Sequence, residues 1–158
     1  MRTDRTAADR IFAPPAPWVA WIAVAIWLTV VTCTSLTSSP PGSKWLVVLS
    51  RHFHSPAKAL RLMQAIIHIG LFGIGSVAVA SALATTPLFS SNRKLFALTV
   101  VFVTVFGGAI ELLQDYVPQR RADFLDLSGD VAGAVLFLSF AWAAGLMPFK
   151  RQKREVPR

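Results

Sequence analysis

The residues of this 158-residue chain that could do chemistry fall into one short stretch and one distant histidine. Residues 111–130 carry five carboxylates and two guanidiniums, and the histidine belongs to an earlier apolar run. Carboxylates and imidazole exchange protons or bind cations, and guanidinium binds pairs of phosphate oxygens. The candidate ligand-binding residues are His68, Glu111, Gln114, Arg120, Arg121, Asp123, Asp126 and Asp130.

The spacing of these residues predicts that several share a helix face. Glu111 lies three positions before Gln114, and residues three or four apart are neighbours on a helix surface. Asp126, Asp130 and Gly133 follow the same rule. An ionisable side chain inside a membrane costs several kcal/mol and usually faces a cavity or a partner. The stretch is therefore either a structural salt-bridge cluster or a binding site.

Glycines beside the charged residues predict close helix packing there. Gly129 and Gly133 form a small-x-x-x-small step, which lets a second helix approach closely. Gly107 and Gly108 would do the same one turn before Glu111. The ionisable groups are thus expected to converge where helices pack tightly.

Long apolar runs are the elements that must position these groups. The chain is 54% hydrophobic and 15% charged, against about a quarter charged in soluble domains. About 20 apolar residues cross a bilayer core, and irregular backbone cannot face lipid. The sequence predicts an all-α, four-helix transmembrane bundle over residues 18–149, between tails 1–17 and 150–158. The predicted spans are 18–36, 63–84, 95–115 and 126–147.

Two details qualify the spans. The second helix could start earlier, at Ser55-Pro56, because serine is a good N-cap and proline a good first residue. The apolar segment Trp45–Leu49 is too short to span and is expected to be interfacial or re-entrant.

Positive charge predicts the orientation, since Lys and Arg concentrate in cytoplasmic loops. Ten of the 16 Lys and Arg residues fall on the side that holds both termini. We therefore expect both termini in the cytoplasm, a location in the cell membrane, and the charged cluster at a shallow depth on the outer side. The net charge of +8 is then a topology signal, and no nucleic-acid partner is expected.

The charged stretch resembles the signature of the VanZ-like family, which reads E-x-x-Q, P-x-R, D-x-x-D and N-x-x-G. The matching residues here are Glu111, Gln114, Pro118, Arg120, Asp123, Asp126, Asp130 and Gly133. His68, followed by Phe72 and Gly75, resembles an earlier family motif. The resemblance implies a polytopic membrane fold and an envelope-related role, since the family is named for a protein associated with teicoplanin resistance.

Two positions depart from the family pattern. An Asp-Lys pair precedes the histidine in the family, and Gln64-Ala65 stands there in this chain. Asp130 stands where the family usually has asparagine. The first departure weakens any role that needs an acid-base pair beside His68. The second adds a negative charge and favours a bound cation or a protonated carboxyl group.

Three hypotheses follow for the function. The first is a non-enzymatic envelope protein that binds membrane lipids or a lipid-linked envelope precursor at its headgroup, with arginine on the phosphate. The second is a membrane-embedded enzyme with His68, Glu111 and Asp126 as catalytic candidates. The third is a structural salt-bridge cluster in a scaffold or a small proton-coupled transporter.

The sequence indicates less about cofactors and oligomeric state than about the fold. No cofactor is predicted, although a divalent cation would suit the enzyme hypothesis. Its weak candidate ligands are Asp126, Asp130 and Glu111, because carboxylate oxygens suit Mg²⁺, Mn²⁺ or Ca²⁺. A homo-oligomer is possible in each case, and a transporter of four helices would need one.

Overall fold

The computed structural model describes residues 16–38, 42–86, 91–118 and 120–146, and every regular element within them is an α-helix. The helices are α1 Pro17–Ser35, α2 Ser43–Ser50, α3 Pro56–Ala84, α4 Asn92–Gln114 and α5 Phe124–Ala143. Four of them, α1, α3, α4 and α5, are long and apolar enough to cross a membrane. The predicted all-α, four-span bundle is therefore confirmed, and the chain has the architecture of a multi-pass membrane protein.

Proline and capping set where the spans begin. α1 starts at Pro17 and α3 at Pro56, because a first-turn proline lacks an N–H that would have no helical partner there. α3 thus begins at the predicted Ser-Pro pair, although the Ser55 hydroxyl makes no capping hydrogen bond. α5 begins directly after Asp123, whose carboxylate accepts a hydrogen bond from the backbone N–H of Leu125 at 2.9 Å.

The helix bounds differ from the predicted spans mainly in α3 and α5. The predicted span 63–84 is the apolar part of α3, whose first turns carry the exposed Lys58 and Arg61. At 1.5 Å per residue α3 is about 43 Å long, which exceeds a hydrocarbon core of about 30 Å. α5 ends before residue 147 because Gly145 adopts a left-handed backbone, with φ of 66°.

Some predictions concern residues beyond the described ranges. The two tails fall outside them, apart from residues 16–17, and so do residues 39–41 of the loop after α1. The cytoplasmic placement of both termini stays a prediction. The segment Trp45–Leu49 forms most of α2, an eight-residue helix that packs against α3. Its position at the membrane interface also stays a prediction.

α3 is the central helix of the bundle. It packs against each of the other four helices, and most extensively against α5. α5 also packs against α4, and α1 makes a smaller contact with α4. The groups on α3 are therefore the ones that can meet groups from every other helix.

The glycine step of α5 permits its close approach to α3. A Cβ atom at Gly133 would collide with the backbone carbonyl of Ile69. A Cβ atom at Gly129 would lie 3.2 Å from the carbonyl oxygen of Ala65 and 3.3 Å from Cβ of His68. The close packing predicted from this step is present, and it places the α5 backbone directly behind the histidine.

Aromatic side chains hold α1 against this pair. The indole Nε1 of Trp27 donates a hydrogen bond to the carbonyl oxygen of Leu71 at 3.0 Å. Its ring lies against Gly75, where a Cβ atom would collide with it. Trp27 also contacts Phe72 edge-to-face, with ring centroids 5.6 Å apart, and Phe106 at 5.4 Å. These contacts join α1, α3 and α4 one turn below His68.

Candidate functional site

α4 ends and α5 begins at the same end of the bundle, and the predicted site residues on these two helices meet there. Glu111 lies in the last turn of α4, and Asp126 and Asp130 lie in the first two turns of α5. His68 lies about 18 Å along α3 from Pro56, which brings it to the same level. The Glu111 carboxylate is within electrostatic range of the histidine and of both aspartates. The structure thus brings these four ionisable residues together.

His68 stands between two aspartates. Its Nδ1 lies 2.7 Å from Oδ1 of Asp130, whose side chain is 1% exposed. Its Nε2 lies 3.8 Å from Oδ2 of Asp126, and the side chains of His68 and Asp126 are 15% and 14% exposed. When Asp130 is ionised it only accepts hydrogen bonds, so Nδ1 of the imidazole then carries the proton between them. Nε2 is left on the accessible side.

Packing fixes the orientation of this pair. The His68 ring stacks on Phe72, with centroids 5.9 Å apart and planes 7° from parallel. The Asp130 carboxylate fits against α4 because residue 107 is a glycine, where a Cβ atom would lie 2.5 Å from Oδ2. Gly107 therefore has the predicted role of permitting close packing. Gly108 does not, because it faces open space.

Three other carboxylates order the connection between α4 and α5. Oε2 of Glu111 accepts a hydrogen bond from the backbone N–H of Asp123 at 2.8 Å. Oδ1 of Asp115, one turn later, accepts from the N–H of Ala122 at 2.8 Å. Asp123 caps α5 in turn. Asp123 and Glu111 thus shape the loop, and neither lines the cavity described below.

Two polar atoms near this loop are buried without a hydrogen-bond partner among the described residues. They are Oε1 of Glu111 and Nε2 of Gln114, which share a face of α4. An unsatisfied buried polar group costs about 1–3 kcal/mol. Gln114 is close to the cluster along the chain, but its side chain is enclosed within the bundle.

The two arginines have different environments. Nε of Arg120 donates to the carbonyl oxygen of Thr37 at 3.3 Å, and Nη2 donates to that of Thr34 at 3.4 Å. A cation is favourable there because the last carbonyl groups of α1 carry partial negative charge. Arg121 is exposed. Arg120 is thus the arginine that faces the cluster, and in the described part of the chain neither forms a salt bridge with a carboxylate.

A cavity of about 280 Å³ adjoins His68, between α1, α2 and α3 and the α4–α5 connection. Its apolar walls come from three helices: Val30, Leu46, Val47, Leu60, Ile67 and Leu71. Its polar lining consists of Thr34, Ser35, Ser43, Gln64, His68, Arg120 and Asp126. The cavity therefore joins a hydrocarbon-like surface to a cation, a carboxylate and an imidazole.

Several of these lining residues were not among the site residues predicted from the sequence. Gln64 is one turn before His68 on the same helix face, so its spacing could have indicated it. Thr34 and Ser43 come from other helices and carry no local signal. They reach the cavity only because α1 and α2 pack beside α3.

The described residues contain no group of three or more His, Cys, Asp or Glu side chains arranged to hold a metal ion. The assignment of Asp126, Asp130 and Glu111 as weak candidate ligands therefore stays a prediction. Comparison with known proteins finds no match among family models, curated proteins or solved structures.

The fit of Asp130 against α4 gives a direct test of the histidine geometry. Gly107→Ala should displace the Asp130 carboxylate and weaken its bond to His68, because the new methyl group would stand where Oδ2 lies. In ¹⁵N-histidine NMR of the purified protein, we expect wild-type His68 to be a single Nδ1–H tautomer and Gly107→Ala to show a mixture.

Gly108→Ala is the matched control, since residue 108 is the next one on the same helix and faces open space. Its spectrum should equal that of the wild type. His52→Gln and His54→Gln, in the exposed segment before α3, assign the signals. An unchanged tautomer in Gly107→Ala would show that Asp130 does not set the proton position.

Proposed function

We propose that this protein is a VanZ-like membrane protein with a cell-envelope role, whose cavity binds the anionic headgroup of a lipid or lipid-linked precursor at the outer leaflet. The observation that carries the proposal is the joining of apolar walls to Arg120, His68 and Asp126 in one cavity. Ligand cavities are usually mostly apolar, with a few polar groups that fix orientation.

The walls of the cavity suit a ligand that carries a hydrocarbon chain. Val30, Val47 and Ile67 line it and are also 44%, 40% and 47% exposed on the surface of the bundle. In a membrane, that apolar surface faces lipid. A ligand that arrives within the bilayer can therefore place its chain along these residues and its headgroup at the polar end.

Arg120 is the group that suits a phosphate. Guanidinium has five N–H donors in a planar fork that matches phosphate oxygens, and the bonds to α1 use two of them. Arg120 lines the same cavity as Asp126, so a phosphate at this position would share the cavity with that carboxylate.

The two arginines provide a matched test of headgroup binding. Arg120→Gln should weaken the binding of phosphatidylglycerol to the detergent-purified protein about tenfold, because a hydrogen bond to a charged group contributes about 1.5–3 kcal/mol. Arg121→Gln removes the same charge from the exposed neighbour and should bind like the wild type. Titration followed by native mass spectrometry measures both.

The same two variants test the envelope role. If the resemblance to the VanZ-like family extends to teicoplanin-type resistance, expression of the wild type should lower teicoplanin susceptibility, and Arg120→Gln should abolish the effect. Equal lipid binding by both variants would contradict the assignment of Arg120 to the headgroup.

The outer location of the cavity depends on the charge asymmetry and can be tested by cysteine labelling. In a Cys33→Ser background, Arg121→Cys should react with a membrane-impermeant maleimide added outside intact cells, and Arg93→Cys should react only after permeabilisation. Both positions are exposed in the structure. Labelling of Arg121→Cys only from the inside would place the cavity at the inner leaflet.

The bond between His68 and Asp130 favours a second candidate function, a membrane-embedded enzyme. A buried carboxylate on Nδ1 leaves Nε2 able to take a proton from a hydroxyl group or water at the polar end of the cavity. This arrangement suits a general base acting on a lipid-linked substrate.

His68→Asn separates binding from turnover, because the asparagine amide can keep the bond to Asp130 while Nε2 is lost. Wild-type protein in vesicles of bacterial lipid extract should produce a new lipid species over time, and His68→Asn should not. Lipid mass spectrometry measures this. An unchanged lipid profile with the wild type would count against the enzyme.

A further inference from the structure

We propose that the headgroup bound in this cavity carries a hydrogen-bond donor, a hydroxyl or an ammonium group, within a few atoms of its phosphate. The inference rests on the proposed headgroup binding and adds the chemical class of the ligand. It predicts binding of phospholipids with a polyol or primary-amine headgroup. It predicts discrimination against a bare phosphate and against a headgroup whose amine is fully methylated.

The first step is the fixed polarity of His68. Asp130 is enclosed by α3, α4 and α5, and its Oδ1 lies 2.7 Å from Nδ1. In the neutral imidazole with its proton on Nδ1, Nε2 presents a lone pair. In that state the imidazole offers the cavity an acceptor.

The second step is the acceptor beside it. Oδ2 of Asp126 lies 3.8 Å from Nε2, beyond hydrogen-bond distance, so the two atoms do not bond directly to each other. Both residues line the cavity. The polar end thus presents Oδ2 of Asp126 and, in the neutral imidazole, Nε2 as adjacent acceptors. An ammonium group has donors for both, and a hydroxyl group can donate to one of them.

The third step is the position of the cation. Arg120 and Asp126 line the same cavity of about 280 Å³. A phosphate bound there to Arg120 shares the cavity with a carboxylate, which repels it unless a donor lies between them. A headgroup with a donor next to its phosphate satisfies both the arginine and the aspartate. A bare phosphate satisfies only the arginine.

The test uses phosphatidylethanolamine and phosphatidylcholine of identical chains, which have the same net charge and differ in the N–H donors. The purified full-length protein should bind phosphatidylethanolamine and phosphatidylglycerol about tenfold more tightly than phosphatidylcholine or phosphatidic acid, the ratio expected for one hydrogen bond to a charged group. Native mass spectrometry with competing lipids measures the ratios.

Two variants test whether Asp126 and His68 cause the preference for headgroups with a hydrogen-bond donor. Asp126→Ala should bring phosphatidylethanolamine and phosphatidylcholine to within about twofold of each other, because the carboxylate acceptor is gone. His68→Asn, which keeps an amide next to Asp130 and loses Nε2, should reduce the preference if Asp126→Ala does not fold. Free glycerol phosphate should compete at least 100-fold more weakly than phosphatidylglycerol, because it has no chain for the apolar walls.

The outcomes separate the two proposals. Equal, Arg120-dependent binding of the ethanolamine and choline lipids overturns the donor requirement and leaves headgroup binding in place. Absence of binding for all four phospholipids overturns headgroup binding itself. Competition by glycerol phosphate as strong as that by phosphatidylglycerol overturns the assignment to a lipid.

Discussion

The close approach of α3 and α5 is the constraint on which the rest of the site depends. Gly129 and Gly133 remove the side chains that would keep the two backbones apart. With the helices this close, Asp130 reaches Nδ1 of His68 and is shielded from the membrane. The hydrogen bond between them links the helices in turn. The close packing of α3 and α5 and the hydrogen bond between His68 and Asp130 therefore stabilise each other.

Different partners divide the carboxylates among separate roles. A carboxylate that is buried needs hydrogen-bond or charge partners, because water does not solvate it there. Glu111 and Asp115 accept backbone N–H bonds and thereby order the α4–α5 connection. Asp130 pairs with His68, while Asp126 remains at the cavity. One acidic stretch thus shapes the loop, orients the histidine and lines the cavity through different residues.

The fold could be predicted well because its signals are local. Uninterrupted apolar runs indicate the spans, and a glycine step indicates a helix contact regardless of what lies on the other helix. Even the early start of α3 followed from a Ser-Pro pair. The convergence of ionisable residues at one end of the bundle was predictable, since such groups are rare in spans, and His68, Arg120 and Asp126 of the predicted set line the cavity. Their roles were not, because Asp123 and Asp126 have the same chemistry and similar positions in the chain.

The sequence by itself determined the four spans, the glycine step and the set of ionisable residues that had to be accommodated, because these depend on composition and spacing along one chain. Only the tertiary structure decided that Arg120 and not Arg121 faces the cluster, since that depends on where α1 ends in space. It also decided that Thr34 and Ser43, from α1 and α2, line the cavity. Contacts between distant segments follow from packing, which local patterns do not encode.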